Sequence, residues 1–293
     1  MLPGDLPYDR IDPNGHGTAV GFLAAHEFIN NQRQEDIKLL SFRVLGDDGT
    51  GNLADALRAL DQAVINGADI INMSFGFQGL TCDGKEDPIF DPYLANALAQ
   101  KVLVFCSAGN SGNDIGIHQQ WPAAEAGHPG FYTIGATDCI TGSIWDYSNY
   151  NNLRVDLLAP GTNIVVPYVN TNTPGDYIAA DGTSFASPLA AAVAASYLHF
   201  TSFEGMLCLL ESPGLLSESS HVRVGDLFDI VPSSCPITFP TPGPNDDPAP
   251  NPGNDVNGLL ATNPGQTLIN PFPNPFSSTL TITTSSADQQ PAE

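Results

Sequence analysis

Three short segments of this chain set reactive or hydrogen-bonding side chains where they could do chemistry. Asn14-Gly15-His16-Gly17-Thr18 puts a histidine between two glycines at the start of an apolar helix. The glycines leave the imidazole accessible from one side and allow close backbone approach. A purely structural histidine at a helix start is the competing reading. Ser107-Ala108-Gly109-Asn110-Ser111-Gly112 follows directly on the apolar strand VLVFC. Residues just past the carboxyl ends of strands line the ligand crevice of open α/β sheets. An Asn there can offer its amide N–H to a developing oxyanion, whereas a plain Gly-Asn turn is the alternative. The third segment, Asp181-Gly182-Thr183-Ser184-Phe185-Ala186-Ser187-Pro188, leads into LAAAVAASYL. A serine at a helix N-terminus sits beside free backbone N–H groups and the positive end of the dipole, both of which favour negative charge on a bound carbonyl oxygen. A simple Ser cap with Pro in the first turn would also fit. That alternative leaves unexplained the small residues crowding both sides of the hydroxyl.

The elements that must position these residues alternate up to Val231. Lys38–Leu45, Ile70–Ser74, Val102–Ser107 and Tyr132–Ala136 read as short buried strands rich in Val, Ile, Leu and Phe. Asn52–Asn66 carries Leu53, Leu57, Leu60, Val64 and Ile65 at helical spacing, and Pro92–Gln100 is a shorter helical stretch. Helices are also expected over His16–Asn30 and Ser184–Leu198. Strand–helix–strand alternation predicts an α/β domain over 1–231: three layers, with helices on both faces of a mainly parallel sheet. Residues 232–265 are rich in Pro, Asn and Asp and read as an extended linker. In 266–293 the turn-rich Asn270-Pro271-Phe272-Pro273-Asn274-Pro275-Phe276 precedes the alternating Thr279-Leu280-Thr281-Ile282-Thr283, a strand signal cut short by the end of the chain. One or two strands do not stand alone, so this tail is expected to be a partial β module.

Composition removes several function classes. The 293 residues hold 9 Lys+Arg against 32 Asp+Glu, a net charge of −23. Nucleic-acid binding needs a basic stripe to replace phosphate counterions, and there is none. An anionic membrane surface is disfavoured for the same reason. No apolar run reaches the roughly 20 residues of a membrane span, and the first residues do not form a signal peptide. The five cysteines, Cys82, Cys106, Cys139, Cys208 and Cys235, lack zinc-site spacing. Cys106, inside an apolar strand, is expected to be a buried thiol.

Taken together, the three segments resemble those of the subtilisin-like serine proteases, in the family's order, from about Ile11 to Ile230. Val44–Gly51 resembles the family's edge strand and loop, Asn72-Met73-Ser74-Phe75-Gly76 its substrate-flanking strand, and Leu158-Ala159-Pro160-Gly161 a family turn. The resemblance implies that Ser184 is the nucleophile and His16 the general base, with the N–H groups of Asn110 and Ser184 forming the oxyanion hole. It further implies that Ser74-Phe75-Gly76 and Ser107-Ala108-Gly109 flank a polypeptide substrate added as a strand. Leu53 would edge a more distant pocket.

The family's acid stands on a strand several dozen residues before the histidine, in a D-[ST]-G segment, and only fifteen residues precede His16. Asp5, Asp9 and Asp12 are the carboxylates available. The expectation is a fragment that begins inside the catalytic domain, and poor turnover without the acid; in subtilisin itself losing that Asp costs about 3 × 10⁴. A pseudoprotease that keeps only the peptide groove is the alternative, and an esterase using the same pair a weaker one. Asn270–Thr284 resembles the C-terminal sorting domains of type IX secretion, which implies export to the cell surface or medium and the type IX machinery as partner. No cofactor is implied. Calcium often accompanies the family, but Asp47-Asp48 and Asp246-Asp247 lack the spacing of a calcium loop. A Cys208–Cys235 disulfide is a further expectation.

Overall fold

The computed structural model describes residues 12–30, 37–78, 89–125, 128–167, 177–198, 201–210, 222–223 and 279–284. Its helices are α1 (His16–Asn30), α2 (Leu53–Ile65), α3 (Asp91–Ala99), α4 (Thr183–Leu198) and α5 (Phe203–Leu210). The strands are β1 (Ile37–Phe42), β2 (Ile70–Met73), β3 (Phe77–Gln78), β4 (Leu103–Ser107), β5 (Gln120–Trp121) and β6 (Phe131–Thr137). They continue with β7 (Leu157–Pro160), β8 (Ile164–Pro167), β9 (Tyr177–Ala180), β10 (Val222–Arg223) and β11 (Thr279–Thr284). The main sheet runs β1-β11-β2-β4-β6-β7-β10, and β2, β4, β6, β7 and β10 are mutually parallel.

Strand alternation divides the interior between two cores, because successive side chains leave a strand on opposite faces. Leu103 and Phe105 of β4 join Val20, Ala24, Ala190, Ala191 and Met206 from α1, α4 and α5. Val104 and Cys106 of the same strand join Leu57, Leu60, Leu94 and Ala97 from α2 and α3. The expected three-layer α/β arrangement is therefore present. Helix α4 is buried from Thr183 to Ala195, which explains why its sequence has no polar face. Its alanines let α1 cross closely, and the β8–β9 hairpin closes the far side through Ile164, Val166 and Ala180.

Three expectations change. Strand β1 ends at Phe42 rather than running to Leu45, because the chain folds back and Leu45 bridges Gly51. A Cβ on Gly51 would collide with the Leu45 side chain and the Val44 carbonyl, so glycine is needed there. Helix α4 starts at Thr183, so Ser184 is inside the helix rather than its cap, and Pro188 falls in the second turn. The third change concerns the tail. Its strand, expected in a partial β module, pairs antiparallel with both β1 and β2 of the main sheet. That pairing satisfies two ladders that would otherwise be open edges. The rest of the proposed tail and the linker lie outside the described residues. Cys106 is a free, buried thiol, and burial pushes its pKa far up, so it is inert. Cys208 is disulfide-bonded, and Cys235 lies outside the described residues.

Candidate active site

The three sequence segments meet at the carboxyl ends of β2 and β4, against the N-terminus of α4. His16 is the first residue of α1. Gly15 precedes it at φ 84°, a conformation that favours glycine. Asp12 holds this helix start: one carboxylate oxygen accepts from Gly15 N at 3.0 Å, the other from Thr18 N at 2.8 Å and Thr18 Oγ1 at 2.9 Å. Both oxygens thus serve the orphan donors and positive dipole of α1. Asp5 and Asp9 lie outside the described residues. The His16 imidazole lies 5.8 Å, centroid to centroid, from the ring of Phe185, the residue that follows Ser184.

Ser184 is held through its own main chain. A proline has no N–H, so Pro188 cannot bond the carbonyl four residues earlier, which is that of Ser184. A buried carbonyl left unpaired is costly. Ser74 Oγ donates to that carbonyl at 2.8 Å from the end of β2. Ser74 Oγ in turn accepts from Asn72 Nδ2 at 3.0 Å, and Asn72 Oδ1 accepts from Ser187 Oγ at 2.6 Å. These side chains are buried, so the chain of hydrogen bonds pins the first turns of α4 to β2.

Asn110 is oriented from the same helix end. Its Oδ1 accepts from Thr183 N at 2.9 Å and from Thr183 Oγ1 at 2.8 Å. A backbone N–H bonds only an acceptor, so the amide has one orientation, with Nδ2 turned away from Thr183. Nδ2 faces the space that a side chain on Gly182 would fill, 3.3 Å from its ideal Cβ. A side-chain N–H is therefore aimed over the turn that leads into Ser184.

The two flanking segments differ in hydrogen bonding. Ala108 N donates to Ile134 O, and Ala108 O accepts from Asn149 Nδ2. Gly109 N donates to Thr183 Oγ1 at 3.0 Å, and Gly109 O accepts from Asn149 N at 2.8 Å. Ser107–Gly109 is thus a fixed wall. Among the described residues, the main chains of Phe75 and Gly76 draw no hydrogen bond. Between the two segments lies Gln120, a residue no sequence pattern marked. A Cβ on Gly109 would collide with Gln120 Oε1, and one on Gly76 would lie 2.7 Å from Gln120 Nε2. Asn149 Nδ2 donates to Gln120 Oε1 at 3.1 Å. Asn149, Thr183, Asn72 and Ser187 likewise support the site without having been singled out as site residues; the last three lie inside segments the motifs covered.

Leu53 packs, partly buried, against the α2–α3 core. Asp47 pairs with Arg43, and Asp48 accepts from Thr50 N and Oγ1, which holds its carboxyl below the usual range. Asp246 and Asp247 are outside the described residues.

The Ser184 carbonyl makes a direct prediction. Ser74→Ala should destabilise the protein by about 1–3 kcal/mol, the cost of an unsatisfied buried acceptor. In a Pro188→Ala background the same substitution should cost clearly less, since residue 188 then supplies the helical N–H. Thermal unfolding of the four proteins of this cycle checks it; equal costs in both backgrounds would remove the coupling.

Known proteins of similar sequence include serine proteases. The chain is 35% identical over 185 residues to an intracellular serine protease of Paenibacillus polymyxa, covering 60% of this chain and 51% of that protein. It is 33% identical over 237 residues to the halolysin-like extracellular serine protease Nep of Natrialba magadii, covering 76% of this chain and 38% of that one. The chain therefore spans about half or less of these relatives' length. The solved structure of a lanthipeptide protease superimposes with a TM-score of 0.52 at 25% identity, over 66% of this chain and 62% of the other. The sequence profile of the Subtilase family, Peptidase S8, matches residues 3–202, and with a mainly parallel sheet and these segments at its carboxyl edge the chain belongs to that family.

Proposed function

We propose that this chain is the catalytic part of a serine endopeptidase that cleaves polypeptides through an acyl-enzyme. The observation that carries the proposal is the locked Asn110 amide: with Oδ1 held by Thr183, its Nδ2 donor points over the entry to Ser184. In this reading His16 takes the proton from Ser184 Oγ as the oxygen attacks the scissile carbonyl. Asn110 and the Ser184 N–H stabilise the resulting oxyanion at the positive end of α4. His16 then passes the proton to the leaving amine, and water resolves the ester by the reverse sequence. The open main chain of Phe75 and Gly76 supports strand-like binding of the substrate. Among the three candidate acids, Asp12 is committed to the α1 N-terminus, so the proposal assigns the triad only its Ser and His. Export is part of the proposal. The disulfide at Cys208 supports it, because such bonds persist in oxidising compartments. The type IX sorting role of 266–293 rests on its sequence pattern alone; recovery of the protein from the culture medium of producing cells would support export, and retention in the cytoplasm would end it.

Replacing Ser184 by Ala should lower peptide hydrolysis by about 10⁶ in a form of the protein whose triad has its acid, and by about 10² in this chain, where only Ser and His are assigned, as the non-additive triad losses in subtilisin imply. Undiminished turnover in that variant would refute the nucleophile assignment. Gln120 sets a second expectation. Gln120 lies against both Gly76 and Gly109, so in this reading its amide would limit the depth of the cavity for the residue before the scissile bond. Gln120→Ala should raise kcat/KM for aromatic over small residues at that position by about tenfold or more. An unchanged preference across a matched peptide series would show that Gln120 does not limit the cavity.

A further inference from the structure

Away from the groove, one cluster brings together groups that the peptidase reading does not use. Asp91 opens α3, while Glu125 and His128 lie in the loop between β5 and β6. One ligand atom from each lies within 4.8 Å of the others. The Glu125 side chain is 0% exposed, and its Oε2 lies 3.6 Å from His128 Nε2. That separation exceeds the range of a hydrogen bond. Among the described residues, Asp91 Oδ1 and His128 Nε2 are both buried and have no hydrogen-bond partner. Among the described residues, neither of these two atoms has a hydrogen bond to offset the cost of its burial.

The donor types indicate what fits between them. Two carboxylates and an imidazole are a ligand set for a divalent cation, and one ion there would satisfy both orphaned atoms at once. The donor set then selects among cations. Calcium takes six to eight oxygens, whereas an imidazole nitrogen with two carboxylates suits zinc and its neighbours. Ligands about 2.0–2.2 Å from a tetrahedral zinc lie roughly 3.3–3.5 Å apart, close to the 3.6 Å between Glu125 and His128.

We infer that Asp91, Glu125 and His128 form a structural zinc-class site, with water as the fourth ligand. The ion would tie the N-terminus of α3 to the loop that follows Gln120 and Trp121. It would thereby brace the floor of the groove without touching the chemistry. The inference does not depend on the peptidase reading, because binding is read independently of turnover.

The test uses the full-length protein, stripped with a chelator and titrated with zinc chloride in a calorimeter, with thermal unfolding measured in parallel. One equivalent should bind and raise the melting temperature, while calcium chloride at the same concentration should do neither through these residues. His128→Ala, at a partly exposed position, should still fold, lose that equivalent and abolish the thermal shift. Asp91→Asn should weaken binding at least tenfold, within the 10–100-fold range for disturbed metal sites. No bound equivalent in the wild type, or binding that survives His128→Ala unchanged, overturns the site. Calcium binding that is lost in His128→Ala would overturn the zinc-class assignment.

Discussion

The carbonyl of Ser184 is the point on which the site depends. Pro188 denies it the helical hydrogen bond, and burial denies it water. Only an outside donor can satisfy it, and Ser74 supplies one from 110 residues away in sequence. That requirement fixes how far the N-terminus of α4 stands above the end of β2. Asn72 and Ser187 add a second tie alongside the first. With the helix end fixed, Thr183 meets both Asn110 and Gly109, so the segment after β4 takes its place from α4 as well. A local defect in one helix thus becomes the joint between two strands and the residue proposed to act as nucleophile. Buried polar contacts of this kind specify one arrangement because any other leaves an unpaired group.

Much of this was legible in the sequence. The apolar runs of β2, β4 and β6 and the spacing of Leu57, Leu60 and Val64 sufficed for the layers, because fully buried parallel strands and half-buried helices have different periods. His16, Asn110 and Ser184 stood out because small residues surround each of them. The rest was hidden for identifiable reasons. Hairpin β8–β9 is short and only half buried, and Ile164 and Val166 look like any loop apolar pair until α4 and Phe185 lie against them. Gln120 sits in a polar stretch, and its importance comes only from the two glycines that close on it. The pairing of β11 is invisible locally, since an alternating Thr and aliphatic strand fits any open ladder of suitable length. The start of α4 differs from the expected Ser184 by one residue, because helix starts are set by capping partners, here distant ones.

The two sides of the groove carry opposite states of the same backbone. Ser107–Gly109 has its main chain engaged by Ile134, Asn149 and Thr183, so it cannot shift to accommodate a ligand. Phe75 and Gly76 keep free edges among the described residues. A chain entering between them would pair with the free edge and rest against the fixed wall. Main-chain pairing is blind to side-chain identity, so in the proposed peptidase reading selectivity would come from the space between the segments. There, among the described residues, Gln120 supplies the amide that both glycines approach, and its own position is set by Asn149, the residue that also braces Gly109. Wall and floor are therefore one hydrogen-bonded unit. A change that moves the floor must also loosen the wall, which makes cavity depth and wall rigidity properties that this fold cannot vary independently.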